Sequence, residues 1–71
     1  NENRMTLKER KEFESLTAEL EELNREKTNL EELFNSGAVI DDMATKAKRY
    51  NDLKEIIDEK EFRWLELSEK E

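Results

Sequence analysis

The chain has 71 residues, of which 46% are charged, with 13 basic against 20 acidic side chains and a net charge of −7. That bounds it to one domain at most, near the lower size limit for an independent core, and excludes a thick globular interior. With no cysteine and no histidine, disulfides, thiolate metal sites, the usual catalytic base and the thiol nucleophile are all excluded.

Leu, Glu and Lys are good helix formers, proline is absent, and the single glycine, Gly37, divides the chain nearly in half. Two long helices are therefore predicted. No apolar run approaches a membrane span and no signal segment opens the chain. Asn1 in place of methionine leads us to expect a piece of a larger, cytoplasmic protein.

The first helix is predicted over about residues 7–35. Thr6 and Glu9 have the spacing of a capping box, each side chain accepting from the other residue's backbone N–H. Apolar residues follow at Phe13, Leu16, Leu20, Leu23, Leu30 and Phe34, in alternating steps of three and four that only Lys27 interrupts. This is the seam of a coiled coil. The run "NSG" stops it, since Gly37 takes a left-handed conformation without a side-chain clash.

A turn over about 36–40 leads to a second helix over about 41–69, with Asp41 and Asp42 expected at the cap or in the first turn. Its seam is Met43, Ala47, Tyr50, Leu53, Ile57 and Trp64. So short a connection forces the helices to lie antiparallel, and the expected fold is all-α, a two-helix antiparallel coiled-coil hairpin. The register supports this. Phe34 with Met43, Leu30 with Ala47, Lys27 with Tyr50, Leu20 with Ile57 and Phe13 with Trp64 all share one residue-number total, 77. Trp64 should then pack on Phe13 at the open end, with Leu67 reaching toward Leu7 or Arg10. Phe62 and Leu65 fall off the seam. Met5 and Leu7 are expected to fold over them, the alternative being a docking patch.

Catalytic chemistry is hard to build here. One glycine cannot form a phosphate-cradling loop, and helical di-metal sites want a Glu-x-x-His pair that is missing. Asp41 and Asp42 would hold a hard cation only with further oxygen ligands, so capping is the favoured role. The remaining charges read as a solvated face, with the pairs Glu21–Arg25, Glu59–Arg63 and Glu66–Lys70 expected at i,i+4. No catalytic, cofactor-binding or metal-binding residue is assigned.

Two groups of cations stand out. Arg4, Lys8, Arg10 and Lys11 lie at the open end; Lys46, Lys48 and Arg49 lie near the turn, with Arg25 and Lys27 placed beside them by the register. Arg4, Lys8, Lys11, Arg25, Lys27, Lys46, Lys48 and Arg49 are the candidate nucleic-acid contacts, because phosphates call for such side chains. Against them stands the net charge, which repels a polyanion. On charge alone, ordinary solvated residues are the favoured reading.

The stretches "LKERKEFESLTAELEELNREKTNLEELFNSG" and "KAKRYNDLKEIIDEKEFRWLELSE" resemble the C-terminal domain of ABC-F ATP-binding cassette proteins, in the Uup-like branch. The opening "MTLKERKEFE" and the closing Trp64-Leu65-Glu66-Leu67 are the less generic parts of the match. The resemblance implies a parent ATPase with two nucleotide-binding domains, using ATP and Mg, and without a membrane domain. It implies for this segment an antiparallel coiled-coil hairpin that assists binding to DNA, ribosomal RNA or the ribosome and itself lacks catalytic motifs. The expected partners are rRNA, the ribosome or DNA, and the ATPase domains of the same chain, with the isolated domain a monomer. The alternative is a protein-interaction or self-association coiled coil using Phe62, Leu65 and Ile56.

Overall fold

The computed structural model describes residues 4–70; Asn1, on which the expectation of a larger parent rests, lies outside them. Helix α1 spans Leu7–Asn35 and opens on the capping box. The Thr6 N–H donates to Glu9 Oε1 at 3.0 Å, and the Glu9 N–H donates back to Thr6 Oγ1 at 3.1 Å. Two backbone donors that the helix cannot satisfy internally are thereby paired. At the other end the Ser36 hydroxyl donates to the Leu33 carbonyl at 2.7 Å and accepts from the Ala38 N–H at 3.2 Å. Gly37 follows with φ 78° and open space around it, so its backbone angle is what calls for glycine there.

Helix α2 spans Met43–Ser68, so the connection runs to residue 42 rather than about 40. Asp42 occupies the cap position, but in the left-handed region (φ 56°, ψ 41°) and without a side-chain capping bond. Asp42 thus takes the expected place at the cap, while the capping bond expected of it is not formed. Asp is among the few residues that accept this backbone region at modest strain.

The two helices lie side by side as an antiparallel hairpin 55 Å long and 15 Å across. Its radius of gyration, 16.0 Å, exceeds the roughly 11 Å of a compact domain this size. The core is correspondingly thin. Leu16, Leu20, Leu53, Ile57 and Leu67 are its buried apolar side chains among the described residues. Leu20, Leu53 and Ile57 form the central cluster, against which Leu23, Leu30 and Trp64 pack.

At the open end Trp64 stacks on Phe13 with ring centroids 5.2 Å apart and planes 20° from parallel. The indole N–H donates to Thr17 Oγ1 at 2.8 Å, and that hydroxyl donates to the Phe13 carbonyl at 2.9 Å. The largest side chain of the chain is thus stacked, and its polar atom is satisfied. Leu67 is fully buried, as a reach toward the start of α1 requires, whereas Leu7 stays 70% exposed.

Near the turn the side chains add contacts that the register does not specify. Phe34 meets the Tyr50 ring edge-on at 5.6 Å, while Met43 is 48% exposed. The Tyr50 hydroxyl donates to Glu31 at 2.6 Å. Helical side chains lean toward their own N-terminus, which for α2 is the turn, so the long tyrosine reaches a turn further along α1 than its backbone position indicates. Hydrogen bonding to Glu31 pushes the Tyr50 pKa up, because a phenolate there would face a carboxylate.

Ion pairs clamp both flanks of the seam. Glu26 takes Arg49 in a two-pronged contact at 2.6 and 2.8 Å, and Glu12 takes Arg63 likewise at 2.8 and 2.9 Å. Glu19 meets Lys60 at 3.4 Å, and Glu9 meets Lys70. In each of these pairs α1 supplies the acid and α2, or Lys70 just after it, the base, and the pairs straddle the seam register by two residues on either side. The expected i,i+4 pairs Glu21–Arg25, Glu59–Arg63 and Glu66–Lys70 are corrected: Arg25 pairs with Glu22, Arg63 with Glu12 and Glu66, and Lys70 with Glu9. Flank positions of a coiled coil offer a cation a facing carboxylate on the neighbouring helix as well as one on its own.

Hydrogen bonds from Lys70, Arg63 and Arg49 hold the carboxyls of Glu9, Glu12 and Glu26, respectively, below the usual carboxylate range. A lowered folded-state pKa adds stability above the unfolded value of about 4.3, and that stability is lost as pH falls through the folded-state value. The double variant Arg49→Gln/Arg63→Gln should therefore melt below the parent at neutral pH, with the gap narrowing under about pH 4.3 and closing once the carboxyls are protonated. Thermal melts followed by circular dichroism from pH 7 to pH 2 check this; a gap that persists at pH 2 contradicts the ion-pair account.

Leu53→Ala should cost about 2–5 kcal/mol, a large share of the roughly 4–11 kcal/mol expected for a chain this size. Thr17→Val should cost about 1 kcal/mol through the indole bond, lowering Tm by about 4–8 °C. Urea and thermal unfolding measure both. If Thr17→Val melts with the parent, the indole–hydroxyl bond contributes nothing to stability.

Candidate nucleic-acid interface

The capping box fixes where the chain enters α1, and so where the cations around it sit. Arg4 and Met5 precede the cap, and Arg10 lies one turn inside the helix. Closing the hairpin brings Lys70, from the opposite end of the chain, to Glu9. Arg4, Met5, Arg10 and Lys70 consequently line one pocket at the open end. Lys8 and Lys11 are exposed one turn apart on the same stretch of α1. Three cationic residues therefore line the pocket, and one of them, Lys70, is paired with Glu9.

Lys70 is not among the candidate residues read from the sequence, although the register offers the signal. The total that pairs Phe13 with Trp64 also sets residue 70 opposite residue 7, within reach of Glu9 and Arg10. A cation at the far end of the chain joins the group only once the helices are folded together.

The group near the turn is arranged differently. Arg49 is gripped by Glu26, which holds its guanidinium further toward the charged form. Lys48 pairs with Asp52 at 3.0 Å, and Arg25 pairs with Glu22. Lys46 donates to the Asp41 carbonyl at 3.3 Å. Lys27 is half-buried at its seam position. Among the described residues Arg4, Lys8, Arg10, Lys11, Lys27 and Lys46 form no ion pair, whereas Arg25, Lys48 and Arg49 do. A phosphate approaching the latter three competes with a carboxylate already in contact, so each gains less from binding it. At the open end the same holds for Lys70, which Glu9 already contacts, whereas Arg4, Lys8, Arg10 and Lys11 form no ion pair among the described residues.

Among the described residues no cluster of three or more acidic side chains is arranged to hold a metal ion, and no helix is long and apolar enough to cross a membrane. Neither the comparison with curated proteins nor that with solved structures gave a match. The family model of the ABC transporter C-terminal domain matches residues 4–69, which takes in the capping box, both seams and the Trp64–Leu67 ending. With nearly the whole chain matched and the fold an all-α helical hairpin, the chain belongs to the ABC transporter C-terminal domain family.

Proposed function

We propose that the hairpin is a non-catalytic arm of an ABC-F type ATPase, of the Uup-like branch, whose open end rests on the phosphate backbone of ribosomal RNA or DNA. ATP and Mg belong, on this reading, to the ATPase domains of the parent protein. The observation that carries the proposal is the convergence of Arg4, Arg10 and Lys70 on one pocket, with Lys8 and Lys11 exposed beside it. Several cations gathered at one end suit a phosphate backbone, and a slender hairpin suits insertion into a crowded assembly. Membership of an ABC protein family supports an accessory role.

The net charge of −7 opposes approach of any polyanion at long range. Binding should accordingly be weak and strongly salt-dependent. Fluorescence anisotropy with labelled RNA and duplex DNA at low and physiological salt measures this. Arg4→Gln/Arg10→Gln should weaken binding several-fold and flatten the dependence of log K on log salt by about 0.7–0.9 for each phosphate that is no longer neutralised. Lys48→Gln, which removes a cation already held by Asp52, should change little. Equal weakening in both variants would move the interface away from the open end. No binding to either nucleic acid, together with unaltered ribosome association of the parent after deletion of the arm, would end the proposal.

A further inference from the structure

Phe62 and Leu65 remain 68% and 56% exposed, so the expectation that Met5 and Leu7 cover them is not met. One helical turn apart, they form a single apolar patch on the side of α2 away from Leu53, Ile57 and Trp64. Ile56, expected in the same patch, is half-buried and lies about a third of a turn round the helix from Phe62 and about half a turn from Leu65.

What surrounds the patch decides what fits it. Glu55, Asp58, Glu59, Glu61, Glu66 and Glu69 are all exposed on this part of α2. The two cations within the same stretch are turned toward α1, Lys60 by Glu19 and Arg63 by Glu12. Arg63 also lies 3.6 Å from Glu66, the one acid of the frame that a cation approaches. The result is an aromatic–aliphatic pair in an acidic frame.

We propose that this face docks a partner protein through an apolar cleft rimmed by Lys and Arg, Phe62 and Leu65 serving as the anchors. Desolvated apolar anchors with a rim of complementary charge are how compact interfaces concentrate affinity. A second copy of the chain fits poorly, because it would bring the same acids against these. Nucleic acid is repelled by the same frame, so this face and the open end serve different partners.

The test is a titration of the isotopically labelled 71-residue chain, followed by amide NMR shifts, with a synthetic amphipathic helix of Leu and Lys. A matched peptide of Leu and Glu serves as the control. The basic peptide should shift amides between residues 55 and 69, and the acidic one should not. Phe62→Ser/Leu65→Ser should lower the affinity at least about tenfold while leaving Tm unchanged, since both side chains are exposed. Absence of binding, undiminished binding by the double variant, or equal binding of the acidic peptide would overturn the proposal. So would RNA shifting the same amides, or sedimentation showing concentration-dependent self-association that the double variant abolishes.

Discussion

The burial of Leu20, Leu53 and Ile57 between two helices is the interaction on which the rest of this structure depends. Among the described residues there is no second layer. Helices of 29 and 26 residues with so many charges would be marginal as isolated rods, because most helical stability in proteins comes from packing an apolar face. Each seam is the other's only cover among the described residues, so helix formation and hairpin closure are one event. The aromatic clamp of Phe13 and Trp64 at one end, and the Phe34–Tyr50 edge contact near the turn, extend the same burial along the hairpin.

Charge is distributed in a way that follows from that seam. Flank positions face one another across the helix pair, and α1 fills them with glutamates where α2 places Arg49, Lys60 and Arg63 and the residues after it place Lys70. A pattern with acids on one arm and bases on the other favours closing the hairpin, since each facing pair brings opposite charges together. It also commits much of α2's positive charge to the hairpin itself. What is left over separates by region, with cations around the start of α1 and acids along the outer face of α2. The −7 of the whole chain hides that asymmetry.

The separation bears on partners. A uniformly acidic rod would repel phosphates everywhere, whereas on the two proposals made above a cationic tip and an acidic, apolar-anchored flank serve two kinds of surface. Both features sit at the open half of the hairpin, away from Gly37. The narrow end carries the strained Asp42 and the 98% exposed Val39, with cations mostly bound to neighbouring carbonyl or carboxylate groups.

The capping box, the glycine stop and the matching three-and-four spacing of the two seams were legible in the sequence, because each rests on contacts close along the chain or on a periodicity repeated over many residues. They suffice to determine two helices, their antiparallel closure and the stacking of Trp64 on Phe13. Only the tertiary structure decided where long side chains end up. Tyr50 leans a turn toward the bend to meet Glu31, Arg63 crosses to Glu12 instead of pairing with Glu59 on its own helix, and Lys70 crosses to Glu9 instead of Glu66. It also left Phe62 and Leu65 uncovered and joined Lys70 to Arg4 and Arg10. A flexible charged side chain has several partners of similar energy within reach, and which one it takes depends on the distance across the seam, which no local pattern encodes.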